Sequence, residues 1–411
     1  MLIGIFSDCH CGYKYGEERW KDSFIALNEA IDKTLDCDLI ITAGDLFDTR
    51  VPRPEVFAKV AKILSKTQTI PSETKLLEVV NKEKLELSPL ALRGIPVIAI
   101  HGTHEKRSSH LINPIQSLEH AGLLIHLHCS TAIFEIRGRK VAVHGMSGVA
   151  DRYAKEVFDQ WNPKPVSNAL NILMIHQSID PYIYSPLEPP SMKIDDLPKG
   201  FDLYVLGHMH WNEIKIFNGG QLLLCGSTIP TTIHKIESEQ EKCIYKYDDN
   251  KVVSKIPLED QRKIFWKEFE FDSNIKDNIE TFIASISPFK PKPIINIKIK
   301  GMIKADQLLP SFSKIEEKYN EKAIVNINKN LEFEGFKEQL EMLKSLKEQR
   351  LSPEEHGLKL LQENLKQVNC GIKIDEIFEF LVDGDIDLIF NVLNGNQTTL
   401  KTGLDKWLHD N

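Results

Sequence analysis

The chain has 411 residues, 42% hydrophobic and 27% charged, an ordinary composition for a folded protein with room for two or three domains. A formal net charge of −8 excludes a uniformly basic nucleic-acid binder, so any contact with nucleic acid falls to local patches or to metals. Seven cysteines in no paired framework point to reduced thiols and a cytoplasmic, if prokaryotic nucleoid-associated, protein; no signal peptide or membrane-spanning stretch is read.

From residue 1 to about 236, short apolar runs alternate with helical patterns. Residues 2–6, 39–43, 97–100, 141–144, 172–176, 203–207 and 222–225 read as buried strands. Between the first two, Phe24, Leu27, Ala30, Ile31 and Leu35 share one helical face. Strands separated by helices predict an α/β layered domain. Residues 65–93 are polar with one apolar face and are expected to form an inserted helix or cover. Residues 132–136 and 141–144 flank Arg137-Gly138-Arg139-Lys140 as a hairpin. Two more strands are expected between 243 and 256, and 257–263 reads as a boundary. A smaller module follows: strand 265–271, helix 275–286, strand 293–302, a helix near 311–319 and strand 323–328. Beyond 334 the pattern is helical, with apolar stripes such as Ile374, Ile377, Phe378 and Leu381 that suit packing or a partner's groove. The expected domains are 1–256, 264–330 and 335–411.

Ser7-Asp8-Cys9-His10 follows the first strand. On an extended chain Asp8 and His10 project to one side and Cys9 to the other. Gly44-Asp45-Leu46-Phe47-Asp48, Gly102-Thr103-His104-Glu105, His176, Gly207-His208-Met209-His210 and Gly226 sit at the ends of later strands. In open α/β sheets such loops gather at one edge and make the site. Asp8, His10, Asp45, His176, His208 and His210 are too many ligands for one zinc and suit two metals sharing a carboxylate. Mixed carboxylate and imidazole ligation without thiolate favours manganese or iron. Cys9 and Cys11 read as packing residues and His101, His126 and His128 as structural. Asp48 reads as the partner of a ligand or as a turn former.

In their order, these motifs resemble the calcineurin-like metallophosphoesterases. Within that superfamily the chain is similar to the DNA double-strand-break repair nucleases of the Mre-eleven or SbcD type. Gly44 to Asp48 followed by Arg50 to Pro54, the sequence Ile175-His176-Gln177, and the long chain after the core carry that closer likeness. The resemblance implies a four-layer α/β/β/α sandwich with a small α/β capping domain and a C-terminal helical segment that binds an ATPase. It implies two manganese ions, one on Asp8, His10, Asp45 and His210, the other on Asp45, His176 and His208. His104 matches the family's catalytic histidine. The implied activities are 3′-to-5′ exonuclease and endonuclease on DNA. The implied partners are a coiled-coil ATPase of the Rad-fifty or SbcC type and a second copy of the chain.

Thr103 stands where the family has an asparagine that ligates the second metal, and its hydroxyl is the expected replacement. Glu105 stands for an aspartate and is expected to orient His104. Arg50, Arg53, Lys106 and Arg107, close to the metal loops, are the expected DNA contacts. The rival readings are a phosphodiesterase for small or nucleotide substrates and a weakly active scaffold that tethers DNA ends.

Overall fold

Alternation along each central strand decides which layer a side chain joins. The strand Leu2–Phe6 sends Ile3 and Ile5 to one face and Phe6 to the other. Leu39–Thr42 does the same, with Leu39 and Ile41 opposite Ile40. These two strands lie in a six-stranded sheet ordered Val253–Pro257, Cys243–Asp248, Leu2–Phe6, Leu39–Thr42, Val97–Ala99, Ile125–His126. The last four are mutually parallel, and Cys243–Asp248 runs antiparallel to both of its neighbours, Leu2–Phe6 and Val253–Pro257. A seven-stranded sheet runs Glu213–Phe217, Gly220–Leu224, Leu203–Gly207, Leu170–His176, Arg139–Met146, Ser130–Ile136, Lys75–Val80. Its strands from Gly220–Leu224 to Arg139–Met146 are parallel. The computed structural model that shows this describes residues 1–82, 87–108, 111–184, 191–231, 235–303 and 311–333; the expected terminal helices at 335–411 lie outside the described residues.

The two sheets pack face to face. Ile3, Ile5, Ile41 and Ile98 of one sheet and Val141, Val143, Ile172, Met174 and Val205 of the other share a single apolar layer. Each such side chain contributes on the order of 1.5–3 kcal/mol on burial, so this layer is the main attachment between the sheets. The outer face of the first sheet is covered by helices Asp22–Asp32, Pro54–Leu64 and Pro114–His120, through residues such as Leu27, Val60 and Leu118. The outer face of the second meets helix Asp151–Trp161 through Ala154 and Phe158. The result is helices, sheet, sheet, helix: the four-layer sandwich that the motifs implied.

The expected hairpin is present, with Arg137 (φ 49°) and Gly138 (φ 77°) as a two-residue turn between Ser130–Ile136 and Arg139–Met146. Residues 65–93, expected to form an inserted helix or cover, hold no α-helix among the described residues: a short 3-10 turn, Ser65–Thr69, is followed by an edge strand, Lys75–Val80, and a second 3-10 turn, Pro89–Leu92. Along that strand only Leu76 and Val79 are partly buried, the regular alternation being broken by a bulge between Leu76 and Glu78, and its only partner among the described residues is Ser130–Ile136. Its lysine and glutamate side chains fit an exposed sheet edge, which a helical period overlooks.

The chain falls into two compact units. The first holds Met1–Lys267, Glu280–Ile297 and Lys314–Asn326, including both large sheets. The second holds Glu268–Ile279 with the described parts of 298–313 and 327–333, where Lys300 pairs with Glu268 at 2.7 Å. After residue 263, strand Ile264–Glu270, helix Ile275–Ser285, strand Ile294–Ile303, helix Ser313–Tyr319 and strand Ile324–Phe333 follow in the expected order. Cys9, Cys11, Cys37, Cys129, Cys225 and Cys243 are free thiols. Among the described residues no helix is long and apolar enough to cross a membrane.

Candidate metal centre

Parallel strands end together, so their exit loops meet at one edge of each sheet. The loop after Leu2–Phe6 and the loop after Leu39–Thr42 are joined by backbone hydrogen bonds. Asp8 N donates to Gly44 O (2.9 Å), His10 N to Asp45 O (2.9 Å) and Cys11 N to Leu46 O (2.8 Å). The expected extended alternation does not place Asp8 and His10. Both are left-handed (φ 52° and 47°), as are Asp45 (47°) and His208 (86°). Such backbone costs about 1–3 kcal/mol at each non-glycine residue and persists only where its surroundings impose it. Here the hydrogen bonds between loops do so. Cys9 still turns away, into the core beneath the helices. Gly102 is required for close approach: a Cβ there would fall 2.1 Å from Asp45 Oδ1.

The six expected ligands converge. Asp8, His10 and His210 place one donor atom each within 4.8 Å of one another, and so do Asp45, His176 and His208. His10, Asp45 and His104 form a third such group, so the two sets adjoin. His10 Nε2 faces His210 Nε2 at 3.1 Å, and His210 Nε2 lies 3.8 Å from Asp8 Oδ1. The outward nitrogens are engaged elsewhere: His10 Nδ1 with Asp48 Oδ1 (3.2 Å) and His210 Nδ1 with Thr231 Oγ1 (2.5 Å). His176 Nδ1 donates to Ala43 O (2.7 Å). Its Nε2 stands 3.2 Å from Asp45 Oδ2, fully buried, with no hydrogen-bond partner among the described residues.

Thr103 Oγ1 donates to Asp45 Oδ2 at 3.4 Å, which puts its hydroxyl beside the second set. His104 is exposed, its ring 4.8 Å from that of His10. Glu105 does not orient His104. It is buried and accepts from Phe47 N (2.7 Å) and Gly102 N (2.8 Å), tying two site loops together. The group that orients His104 is the Asp48 carbonyl, 2.9 Å from Nδ1.

The electrostatics are those of a cation site awaiting positive charge. Burial pushes the Asp8 carboxyl up to about 6, against the pull of His176 and with the push of Asp45. Burial also opposes ionisation of Asp45, yet the charge of His176 beside it holds that carboxyl well below its usual range. Burial would lower His176, but the Asp45 and Asp8 carboxylates carry it up to about 9. Burial lowers His208 to about 3 and takes His210 well below its ordinary value, so both present neutral lone pairs. The Asp8 and Asp45 carboxylates thus push both His176 and His10 above the ordinary imidazole range, so positive charge is favoured between them. Oxygen and nitrogen donors, two imidazole nitrogens facing each other and a buried His176 Nε2 that faces the Asp45 carboxylate without hydrogen-bond geometry fit divalent metal ions.

Of the expected DNA contacts, Arg50 and Arg107 line one hollow of about 340 Å³ with Val51, Phe57 and Ile112. Arg107 Nη1 also donates to Ile112 O (3.1 Å). Arg53 is exposed, its guanidinium 5.0 Å from the Tyr15 ring, and Lys106 is half-buried beside Glu105 in sequence. His101 Nδ1 and His126 Nε2 are 2.9 Å apart in a buried pair that belongs to none of the three donor groups; His126 ends a short strand that its sequence context did not suggest. Sequence reasoning missed Tyr184, whose hydroxyl donates to His208 O (2.9 Å) and accepts from His210 N (3.1 Å). It also missed Thr231, although Gly226 marked that loop as a site element. Tyr184 carries no motif, only its place after the His176 strand.

A profile of the calcineurin-like phosphoesterases matches residues 1–212. The chain is 25% identical over 334 residues to the "DNA double-strand break repair protein Mre11" of Thermoplasma acidophilum, covering 76% of this chain and 80% of that one. The proteins of the same description from Sulfolobus acidocaldarius and Methanococcus maripaludis are 26% and 25% identical. They cover 74% and 78% of this chain, and 76% and 86% of their own lengths.

Proposed function

The chain belongs to the calcineurin-like phosphoesterases and is a metal-dependent hydrolase of phosphoesters, and on that premise we propose that it is a manganese-dependent DNA nuclease of double-strand-break repair. The observation that carries the proposal is the convergence of Asp8, His10 and His210 with Asp45, His176 and His208 around adjoining positions. Relatives described as break-repair proteins, aligned over about three quarters of this chain, support DNA as the substrate.

Asp8, His10, Asp45 and His210 would hold one manganese ion; Asp45, His176 and His208, with the Thr103 hydroxyl, would hold the other. Bound there, divalent metals supply Lewis acidity that polarises a phosphodiester and makes water nucleophilic at neutral pH. The chain does the rest. The Asp48 carbonyl holds the proton of His104 on Nδ1 and leaves Nε2 free of that contact, on an exposed ring beside His10. With a second proton on Nε2 the imidazolium would reach a phosphate oxygen or the leaving group, as stabiliser or proton donor. Arg50, Arg53, Lys106 and Arg107 would draw the DNA backbone to the same edge. Residues 264–330 would serve as a capping module, and 335–411 would dock a coiled-coil ATPase, with a second copy of the chain completing the assembly in the cytoplasm.

Incubation of the purified chain with manganese and linear or hairpin DNA tests this. Cleavage from 3′ ends and at hairpins is expected; absence of cleavage, with and without the ATPase, overturns it.

A further inference from the structure

His210 can serve as a ligand through Nε2 only if its proton sits on Nδ1. The atom that decides this is Thr231 Oγ1, 2.5 Å from His210 Nδ1. As an acceptor, the hydroxyl holds the proton on Nδ1 and frees the Nε2 lone pair, 3.1 Å from His10 Nε2. As a donor, it would force the proton to Nε2 and turn His210 away from cation binding.

Thr231 is anchored on both flanks of its backbone. Its carbonyl accepts from the Tyr13 hydroxyl (2.9 Å), and Arg19 donates to the carbonyl of Pro230. Its N–H points to Glu237 Oε1 (3.4 Å), which belongs to a buried ion pair with Lys242 Nζ (2.6 Å). Both side chains are almost wholly inaccessible. The same ammonium donates to His210 O (3.1 Å) and Ser227 Oγ (2.8 Å). Lys242 therefore ties the His210 loop to the Thr231 loop. A buried pair of this kind is weak evidence of stability, because apolar residues of similar volume often do as well. It does fix geometry, since three donors of one ammonium meet three different segments.

We propose that Thr231, clamped by the buried Lys242–Glu237 pair, is a positioning residue that sets the tautomer and direction of His210 for a divalent cation. The inference rests on the metal reading above. It adds a residue from the loop after Gly220–Leu224, outside every ligand motif.

Manganese binding measured by the electron paramagnetic resonance of the unbound ion tests it in the full chain. The wild type is expected to bind two ions. Thr231→Ser keeps the hydroxyl and should hold both affinities within about threefold. Thr231→Val should weaken one site by about 10–100-fold and leave the other unchanged, the usual cost of losing a ligand's outer partner. Lys242→Met combined with Glu237→Leu removes both charges together and should weaken the same site in a folded protein, which covers the case that the valine variant does not fold. Unchanged affinities in either the valine or the double variant overturn the positioning role, as does equal weakening by serine and valine. A wild-type chain that binds no manganese overturns the metal reading, and this inference with it.

Discussion

His104 Nδ1 lies 2.9 Å from the main-chain oxygen of Asp48, not from a carboxylate. A carbonyl only accepts, so Nδ1 carries the proton and Nε2 is the working end of the ring. About half of the His104 side chain is exposed, whereas its neighbours His10 and His176 are buried. Orientation is thus supplied by backbone that side-chain substitution leaves in place.

His104→Ala should therefore lower DNA cleavage by about 10²–10⁴-fold, the range for loss of a general acid or base. Metal stoichiometry should stay at the wild-type value, because none of the buried donor pairs depends on this ring. Single-turnover cleavage alongside manganese titration checks both halves. Loss of a metal in the alanine variant would recast His104 as a ligand, an arrangement its proximity to His10 and Asp45 permits.

Thr103 gives a second prediction. Its hydroxyl is 3.4 Å from Asp45 Oδ2, close enough to share a cation but on a shorter arm than asparagine. Thr103→Val should weaken the second metal by about tenfold or more, in line with other losses at the rim of a metal site. Thr103→Asn should tighten it severalfold by supplying an amide oxygen. Equal binding by all three chains would remove Thr103 from the site.

The metal set was legible because its signals are local: an apolar run, a glycine or turn, then an acidic or imidazole side chain. The conformation that delivers those side chains was not. Strand logic carried past Phe6 put Asp8 and His10 on one face of an extended chain, whereas both adopt left-handed backbone imposed by the Gly44–Leu46 loop. That constraint comes from a segment some 36 residues away, which periodicity cannot see. The same holds for Glu105, whose partners are main-chain groups of Phe47 and Gly102 rather than the adjacent histidine. The edge strand Lys75–Val80 was lost for a different reason. Its partner strand Ser130–Ile136 lies far along the chain, and its polar residues Lys75 and Glu78, three apart, repeat at a helical spacing.

Arg50 and Arg107 line one hollow although 57 residues separate them in sequence. If both meet DNA phosphates, the double variant Arg50→Ala/Arg107→Ala should weaken binding similarly for all sequences. The slope of log affinity against log salt should fall by about two, near 0.9 per lost phosphate contact. Fluorescence anisotropy over a salt series reads that slope. An unchanged slope would return both arginines to ordinary surface charge.

The pH dependence of metal loading follows from the groups that take up protons where a cation would sit, His176, Asp8 and His10. Despite its burial, His176 is carried up to about 9 by Asp45 and Asp8, so near neutrality its site is occupied by a proton. A metal must displace that proton, and mass action then makes apparent affinity rise about tenfold per pH unit until pH passes about 9. Below about 6 Asp8 is protonated as well, because burial has raised it. His10, also raised, with Asp48 and the other carboxylates outweighing its burial, adds to the same trend. The dependence should therefore steepen as pH falls and flatten above 9. His208, depressed by burial to about 3, contributes no slope near neutrality. Calorimetric titration with manganese at pH 7.5, in two buffers of different ionisation enthalpy, should show at least one proton released per chain. A His176→Asn variant should lose that proton release along with affinity for the second ion. Manganese affinity that is constant between pH 6 and 8 would mean that the buried imidazole opposite Asp45 is not the group a cation replaces.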